Sequence, residues 1–591
     1  MTYQEKLQSI RRLMKSENVS AYIIPSSDPH ISEYLPDRFK CIEFASGFTG
    51  SAGTLVITEV EAGLWTDGRY FVQATEQLEG TGYELMPLKA QGVPEYVEWL
   101  SGKLLKDSSV AFDGRLVSVN LAEMIENRLR PAGVKILPDR DYLNEIWKDR
   151  PILPSNPAYL IDESVTGEGI KQKLEKLRQL LRDVHADYHL ISSLDDIAWL
   201  FNIRGSDVKC NPVVLAFALI SHDHATIFID PAKVSNENKG ELLNHNVMIK
   251  EYHEIDAAIS TVKNGTIFID PKRTCFRLFK LINPVINVVQ GVNPTTNLKA
   301  IKNPVEIENT RKTMIKDGVA LTRFFKWLDE NNGQTDLYEI SVAEKLLDFR
   351  AEQEGFVGES FDTIAAYSDH GALPHYKASL SSNAKLNPNG LFLLDSGGQY
   401  IGGTTDITRV VSLGNATMDE KTDYTLVLKG MIDGVTARYP KGTRGYQIDA
   451  ITRKPLWDNS RNYGHGTGHG VGFFLNVHEG PQVFNSANIT VEIEPGMITS
   501  IEPGIYRIGK YGIRIENLVL SVKDESNEFG EFYAFETLTL AYIDTSLIIR
   551  SLLDQKQVDW LNNYNQLVVE RLGKHLDNEE LKWLIKKAQP I

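Results

Sequence analysis

Apolar residues follow two rhythms along the chain. At the N-terminus, MTYQEKLQSIRRLMKSENVSAY (1–22) spaces them at helical intervals with charges between, which predicts an amphipathic helix. AYIIPSSDPHISEYL (21–35) then reads as an apolar strand, Ser-Ser, an Asp and an amphipathic helix. The same order returns 166 positions later in DYHLISSLDDIAWLF (187–201). Each copy leads through a glycine-containing turn into β-rich runs, GTLVITEVEAGLWTDGRYF and PVVLAFALISHDHATIFID. The repetition predicts two tandem α/β domains of one design.

DRPILPSNPAYLIDES (149–164) is proline-rich and reads as a linker, and NPVINVVQGVNPTTNLKAIKNP (283–304) reads as a second boundary. The expected domains are therefore 1–154, 155–302 and 303–591. Beyond the second boundary Met314, Leu321, Phe325 and Leu328 recur at helical spacing and open the third. In the tail, Leu561, Tyr564, Val568 and Leu572 share one helical face, which predicts docking onto the core or onto a partner subunit.

At 591 residues the chain exceeds what one core supports, in keeping with that division. A net charge of −15 argues against nucleic acid or an anionic membrane as partner. Cys41, Cys210 and Cys275 are too few and too scattered for a disulfide framework and suggest a reducing compartment. The first helix carries charges throughout with no apolar signal core, and no segment approaches 18 uncharged apolar residues. The expectation is a soluble, cytoplasmic protein.

Four acidic residues break this pattern. Asp395 closes the apolar run LFLL, Asp406 opens ITRVVSL, Glu502 follows MITSI, and Glu516 interrupts GIRIENLVL. A carboxylate at the end of a buried strand is costly unless it is paired or bound to a cation. A single Asp of this kind next to glycine is an ordinary turn residue. A buried ion pair with Arg514 or Arg409 is the other plain reading. Four such residues in one domain favour a shared metal site. Oxygen-rich ligation with one or two imidazoles suits a hard or borderline ion such as Mn²⁺. With four carboxylates and one His, two bridged ions would neutralise the cluster and activate a water for hydrolysis. The glycine-rich stretch YGHGTGHGVGFFLNVHEGP (463–481) supplies His465, His469 and His478, the last after FFLNV, read as a strand. His375 in GALPHYKAS is a fourth candidate. Imidazole serves equally as ligand, oxyanion donor or proton carrier, and spacing alone leaves the assignment open.

HGTGHGVGFFLNVHEGP, DSGGQYIGGTTDITR, SIEPGIY and GIRIEN, with AYIIPSSDPHISEYL, SGFTGSAGT, WTDGRYFVQA and DDIAWLFNIRGSDV, together resemble the pita-bread metallopeptidases. Within them the likeness is to the three-domain, cytosolic type of Xaa-Pro aminopeptidase. That resemblance implies an α/β (α+β) chain: two creatinase-like N-terminal domains followed by a C-terminal pita-bread domain. It implies that Asp395 ligates one Mn²⁺, that Asp406 and Glu516 bridge two, and that His469 and Glu502 hold the other. Glu502 would also act as general base. His465 and His478 would stand on the substrate side, with His375 close by and Arg69 reaching the active site from the first domain. It further implies a homodimer, and peptides with proline in second position as substrates. Prolidase shares the metal ligands, but two N-terminal domains favour the aminopeptidase. All five expected ligands are present, which argues against a silent peptide-binding scaffold of the same fold.

Overall fold

The computed structural model describes residues 1–89, 94–487 and 489–591. Its contacts divide the chain into two units, Met1–Asp162 with Glu168–Thr295, and Glu163–Gly167 with Thr296–Ile591.

The first unit holds two six-stranded sheets of identical topology. In one, the order is Glu84–Pro87, Ala62–Thr66, Thr54–Thr58, Ala21–Pro25, Ser109–Phe112, Lys135–Leu137. In the other it is Val247–Lys250, Ala225–Phe228, Phe217–Ser221, Tyr188–Ile191, Thr266–Ile269, Asn287–Gln290. In both, the first three strands in sequence pair antiparallel and the outer strands add in parallel. Strands covered on both faces must be apolar throughout, which is why AYIIP is buried at every position. The expected first helix spans Tyr3–Ser16, starts at a Thr2/Glu5 capping box and buries Leu7, Ile10 and Met14.

One local expectation fails. The helix read in HISEYL forms in the second copy as Leu194–Leu200 but not in the first. There Asp28 precedes proline, which disfavours helical backbone, and its Oδ1 accepts instead from the amides of His30 (2.8 Å) and Ser32 (3.0 Å). Ile31 consequently sits at φ 54°.

The second unit opens on a 28-residue helix, Pro304–Asn331, started by an Asn303/Glu306 capping box with proline at its first position. Met314, Leu321, Phe325 and Leu328 are all buried in the core. A three-stranded antiparallel sheet (Ile364–Tyr367, Leu391–Ser396, Ile407–Ser412) and a six-stranded sheet carry the unit. The larger sheet includes Gly468–Gly470, Ile498–Ile501 and Asn517–Asn527, and a separate ribbon pairs Gly504–Arg507 with Tyr511–Arg514. The penultimate helix, Gln555–Leu572, docks on this core through Leu561, Tyr564, Val568 and Leu572. FFLNV is not a strand: residues 473–477 form a bend with Phe474 at φ 47°, because Leu475 folds back onto Thr404 and Gln399 rather than joining a ladder.

Leu561 is completely buried, so Leu561→Ala should cost about 2–5 kcal/mol. Chemical denaturation followed by tryptophan fluorescence checks this; an unchanged transition would mean that the helix Gln555–Leu572 is not part of the core.

Candidate active site

Each of the four acidic residues lies at or beside a strand end of the second unit. Asp395 is the fifth residue of Leu391–Ser396 and pairs in register with Thr408 of the neighbouring strand. Asp406 immediately precedes that neighbour, after a tight hairpin made by Gly398–Tyr400 and Gly403–Thr404. Glu502 follows Ile498–Ile501, and Glu516 stands between the ribbon and Asn517–Asn527. Because Ile501 pairs with Asn517, Glu502 and Glu516 leave adjacent strands at the same level.

The four converge. Asp406, His469 and Glu516 each offer a ligand atom, and these atoms lie within 4.8 Å of one another. His469 Nε2 is 3.4 Å from both Asp406 Oδ2 and Glu502 Oε1. The His469 ring donates through Nδ1 to the Gly470 carbonyl at 3.0 Å, which turns Nε2 toward the carboxylates. Glu516 Oε2 accepts from Thr408 Oγ1 at 2.8 Å, and Glu502 Oε1 from Ser500 Oγ at 3.2 Å. Asp395 Oδ2 accepts from Arg514, whereas its Oδ1 is buried with no hydrogen-bond partner. Of the two ion pairs offered as a plain reading, the one with Arg514 therefore exists, but it satisfies only half of one carboxylate. Arg409 pairs with none of the four; it donates to the carbonyls of Thr408, Glu516, Ala541 and Tyr542 and holds the surrounding backbone.

The electrostatics are those of like charges confined in a dry pocket. Burial raises Asp395, and Asp406 raises it further against the pull of Arg514. Glu516 is driven well above the carboxylate range by burial and then by Asp406, Glu502 and Asp395. Burial, with Asp406 and Asp395, pushes Glu502 up to about 7 despite His469 and Arg514. Burial alone would lower His469, yet its bond to Asp406 and the charge of Glu502 outweigh that and hold it at about 9. Such a cluster can shed its repulsion only by taking up protons, and a divalent cation would relieve it in their place. The unpartnered Asp395 oxygen and the inward-facing His469 Nε2 fit the same ligand.

The histidines separate by position. His478 stacks edge-on against His469, with centroids 4.3 Å apart. His465 Nδ1 faces the Gly466 carbonyl and its Nε2 lies 2.7 Å from Tyr506 Oη, to which Arg514 Nη1 donates at 2.7 Å. One chain of hydrogen bonds thus runs from Asp395 through Arg514 and Tyr506 to His465. His375 follows Pro374, whose carbonyl accepts from Arg514 Nη2 at 3.4 Å. Its loop is fixed by buried Glu339, which accepts from the Tyr367 and Ala384 amides, the Tyr376 hydroxyl and the His370 ring. Arg69 lies in the first unit, in a bidentate pair with Asp67 (2.7 and 2.8 Å). Sequence reading missed Tyr506 and Thr408. The only available signal was Tyr506 four residues from Glu502, on the ribbon that ends in Arg514.

Comparison with known proteins agrees with this architecture. The profile of the creatinase/prolidase N-terminal domain matches twice, at residues 6–141 and 149–306. Metallopeptidase family M24 matches at 308–523, and the C-terminal region of peptidase M24 at 531–591. A probable Xaa-Pro aminopeptidase P of Neurospora crassa is 39% identical, with 99% of this chain and 89% of that protein covered. Xaa-Pro aminopeptidase 1 of Dictyostelium discoideum is 36% identical over 99% and 96%. Among solved structures, the X-prolyl aminopeptidase of Caenorhabditis elegans, described as a cytosolic enzyme with a di-nuclear active site, superposes with a TM-score of 0.96. It is 36% identical and covers 100% of both chains. A Bacillus anthracis Xaa-Pro dipeptidase, 24% identical, matches 63% of this chain with a TM-score of 0.51 and shares the fold.

Because Glu502 and His469 hold protons near neutral pH, cation binding must displace them, and acidification must weaken it. Titration calorimetry with Mn²⁺ between pH 8 and pH 6 should show proton release and an affinity falling about tenfold per pH unit for each proton displaced. A pH-independent affinity would contradict the cluster's electrostatics.

Proposed function

The chain belongs to metallopeptidase family M24, and from that membership we propose that it is an Xaa-Pro aminopeptidase, removing the N-terminal residue of peptides with proline second. The convergence of Asp406, His469 and Glu516, flanked by Asp395 and Glu502, carries the reading. Asp395 would hold one cation, His469 and Glu502 a second, and Asp406 and Glu516 both. We assign the ions as Mn²⁺, which suits four carboxylates and one imidazole. Two such ions would neutralise the carboxylates and supply Lewis acidity to a water and to the scissile carbonyl.

The chain's own groups do the rest. Glu502, at the edge of the cluster with 18% of its side chain open, takes the proton of the attacking water. His478, packed on His469, and His465, held by Tyr506, stand on the substrate side, where they stabilise the tetrahedral intermediate or hold the peptide. Arg514 donates to both Asp395 and Tyr506 and so ties the ligand side to the His465 side. His375 belongs to the same substrate side, and by family resemblance Arg69 is a further substrate-binding residue. A bond to proline lacks the amide N–H that a general aminopeptidase can read, which gives a specialised site its purpose.

Three further readings belong to the same proposal. The chain divides functionally near residues 154 and 302, it works as a homodimer, and it acts in the cytoplasm. The last is supported by the scarcity and scatter of the cysteines and by the cytosolic worm relative. No described helix is long and apolar enough to cross a membrane.

Prolidase is the competing activity, and substrate length separates the two. Chelator-treated protein should lose cleavage of Arg-Pro-Pro and regain it with Mn²⁺, while Ala-Pro remains a poor substrate. Turnover of Ala-Pro alone would favour prolidase, and full activity in chelator would remove the metal reading. Asp406→Asn should lower kcat at least about 100-fold with the circular dichroism spectrum unchanged; retained activity would refute the bridging role.

A further inference from the structure

The turn that carries His465 and leads into His469, Tyr463–Gly470, has glycine at 464, 466, 468 and 470 and joins no sheet before Gly468. Glycine-rich backbone has many conformations to lose, so something outside the turn must fix it. That support lies on the helix Gly445–Trp457. Arg453 and Asp449, one helical turn apart, form a buried pair in which Nε is 2.9 Å from both carboxylate oxygens. The remaining guanidinium donors are spent on the turn. Nη1 donates to the Tyr463 carbonyl (2.8 Å) and Asn462 Oδ1 (3.0 Å), and Nη2 to the His465 carbonyl (2.5 Å). The guanidinium also lies over the Tyr463 ring, 3.7 Å from its centroid.

Asp449 reaches the far side of the same turn. Its Oδ1 accepts from Thr467 Oγ1 at 2.6 Å, and that hydroxyl in turn meets the Tyr463 hydroxyl at 2.5 Å. The Thr467 carbonyl accepts from the Glu502 amide at 2.8 Å. Both ends of the His465 loop thus hang on one ion pair. A buried pair is expensive to desolvate, and replacing it with apolar residues often stabilises a protein, so its worth here is sought in geometry. Only a planar fork with five donors can hold an opposing carboxylate and two successive segments of backbone together.

We infer that Arg453, anchored by Asp449, is a positioning residue that sets the orientation of His465 toward Tyr506 and the substrate. The inference rests on the proposed substrate-side role of His465. Neither side chain reaches the metal ligands, so its influence must pass through the turn.

The test is a double-mutant cycle on the Mn²⁺-loaded protein with Arg-Pro-Pro, recording kcat, KM, metal content and thermal midpoint. Arg453→Met should lower kcat/KM about 10–100-fold with metal content unchanged, the usual cost of a misplaced active-site group. Arg453→Lys should recover only part of it, because an ammonium cannot span both carbonyls. In a His465→Ala background, Arg453→Met should add less than about threefold, since the group it positions is already gone. Losses that multiply, or an Arg453→Met enzyme within twofold of wild type, would overturn the inference. A fully active His465→Ala would instead overturn the role of His465 itself, and the inference with it. If Arg453→Met does not fold, Asp449→Asn, which keeps the shape but removes the anchoring charge, carries the same comparison.

Discussion

Everything around the site answers one constraint: four carboxylates share one pocket from which water is largely excluded. Two unit charges about 4 Å apart repel by about 4 kcal/mol at the effective dielectric of a protein interior. Burial and the mutual repulsion of the four appear as the upward shifts of Asp395, Glu502 and Glu516. Arg514, His469, Thr408 and Ser500 offset part of the repulsion and leave one oxygen of Asp395 without a partner. A cluster with that deficit is complementary to cations, and its cost in the empty protein is the counterpart of its affinity when filled.

The same domain contains buried acids of a different kind, and the contrast is instructive. Glu339 accepts four hydrogen bonds, and Asp423 is met by Arg461, Arg507 and Tyr511. Asp449 is met by Arg453 and Thr467. Each holds a loop or ribbon that borders the site: the His375 loop, the Tyr506 ribbon and the His465 turn. Hydrogen bonding thus sorts the buried carboxylates. These three are satisfied by donors and brace the backbone, whereas the clustered four face one another and leave an oxygen of Asp395 without a partner.

The four site carboxylates were legible in the sequence because an acid inside an apolar strand run is an anomaly at single-residue resolution. The tandem sheets were legible for a related reason: strands buried on both faces leave continuous apolar runs, and Ser-Ser-Asp punctuates both copies. Features set by non-local contacts were not legible. HISEYL has helical spacing, but one proline and the Asp28 side chain redirect it. FFLNV has strand composition, but its backbone is claimed by Thr404 and Gln399, about 70 residues away in the chain. Which histidine faces the carboxylates depends on the carbonyl each Nδ1 finds, and no spacing encodes that. Tyr506 was invisible because a tyrosine in a β-ribbon is ordinary until its hydroxyl is seen between His465 and Arg514.

The central claim, that these five side chains form one two-cation centre, is tested most directly by anomalous X-ray scattering from crystals grown with Mn²⁺. The account predicts two peaks about 3.5–4 Å apart, both in contact with Asp406 and Glu516, one reaching Asp395 and the other His469 and Glu502. A single peak, or two peaks that do not share Asp406 and Glu516, would contradict it.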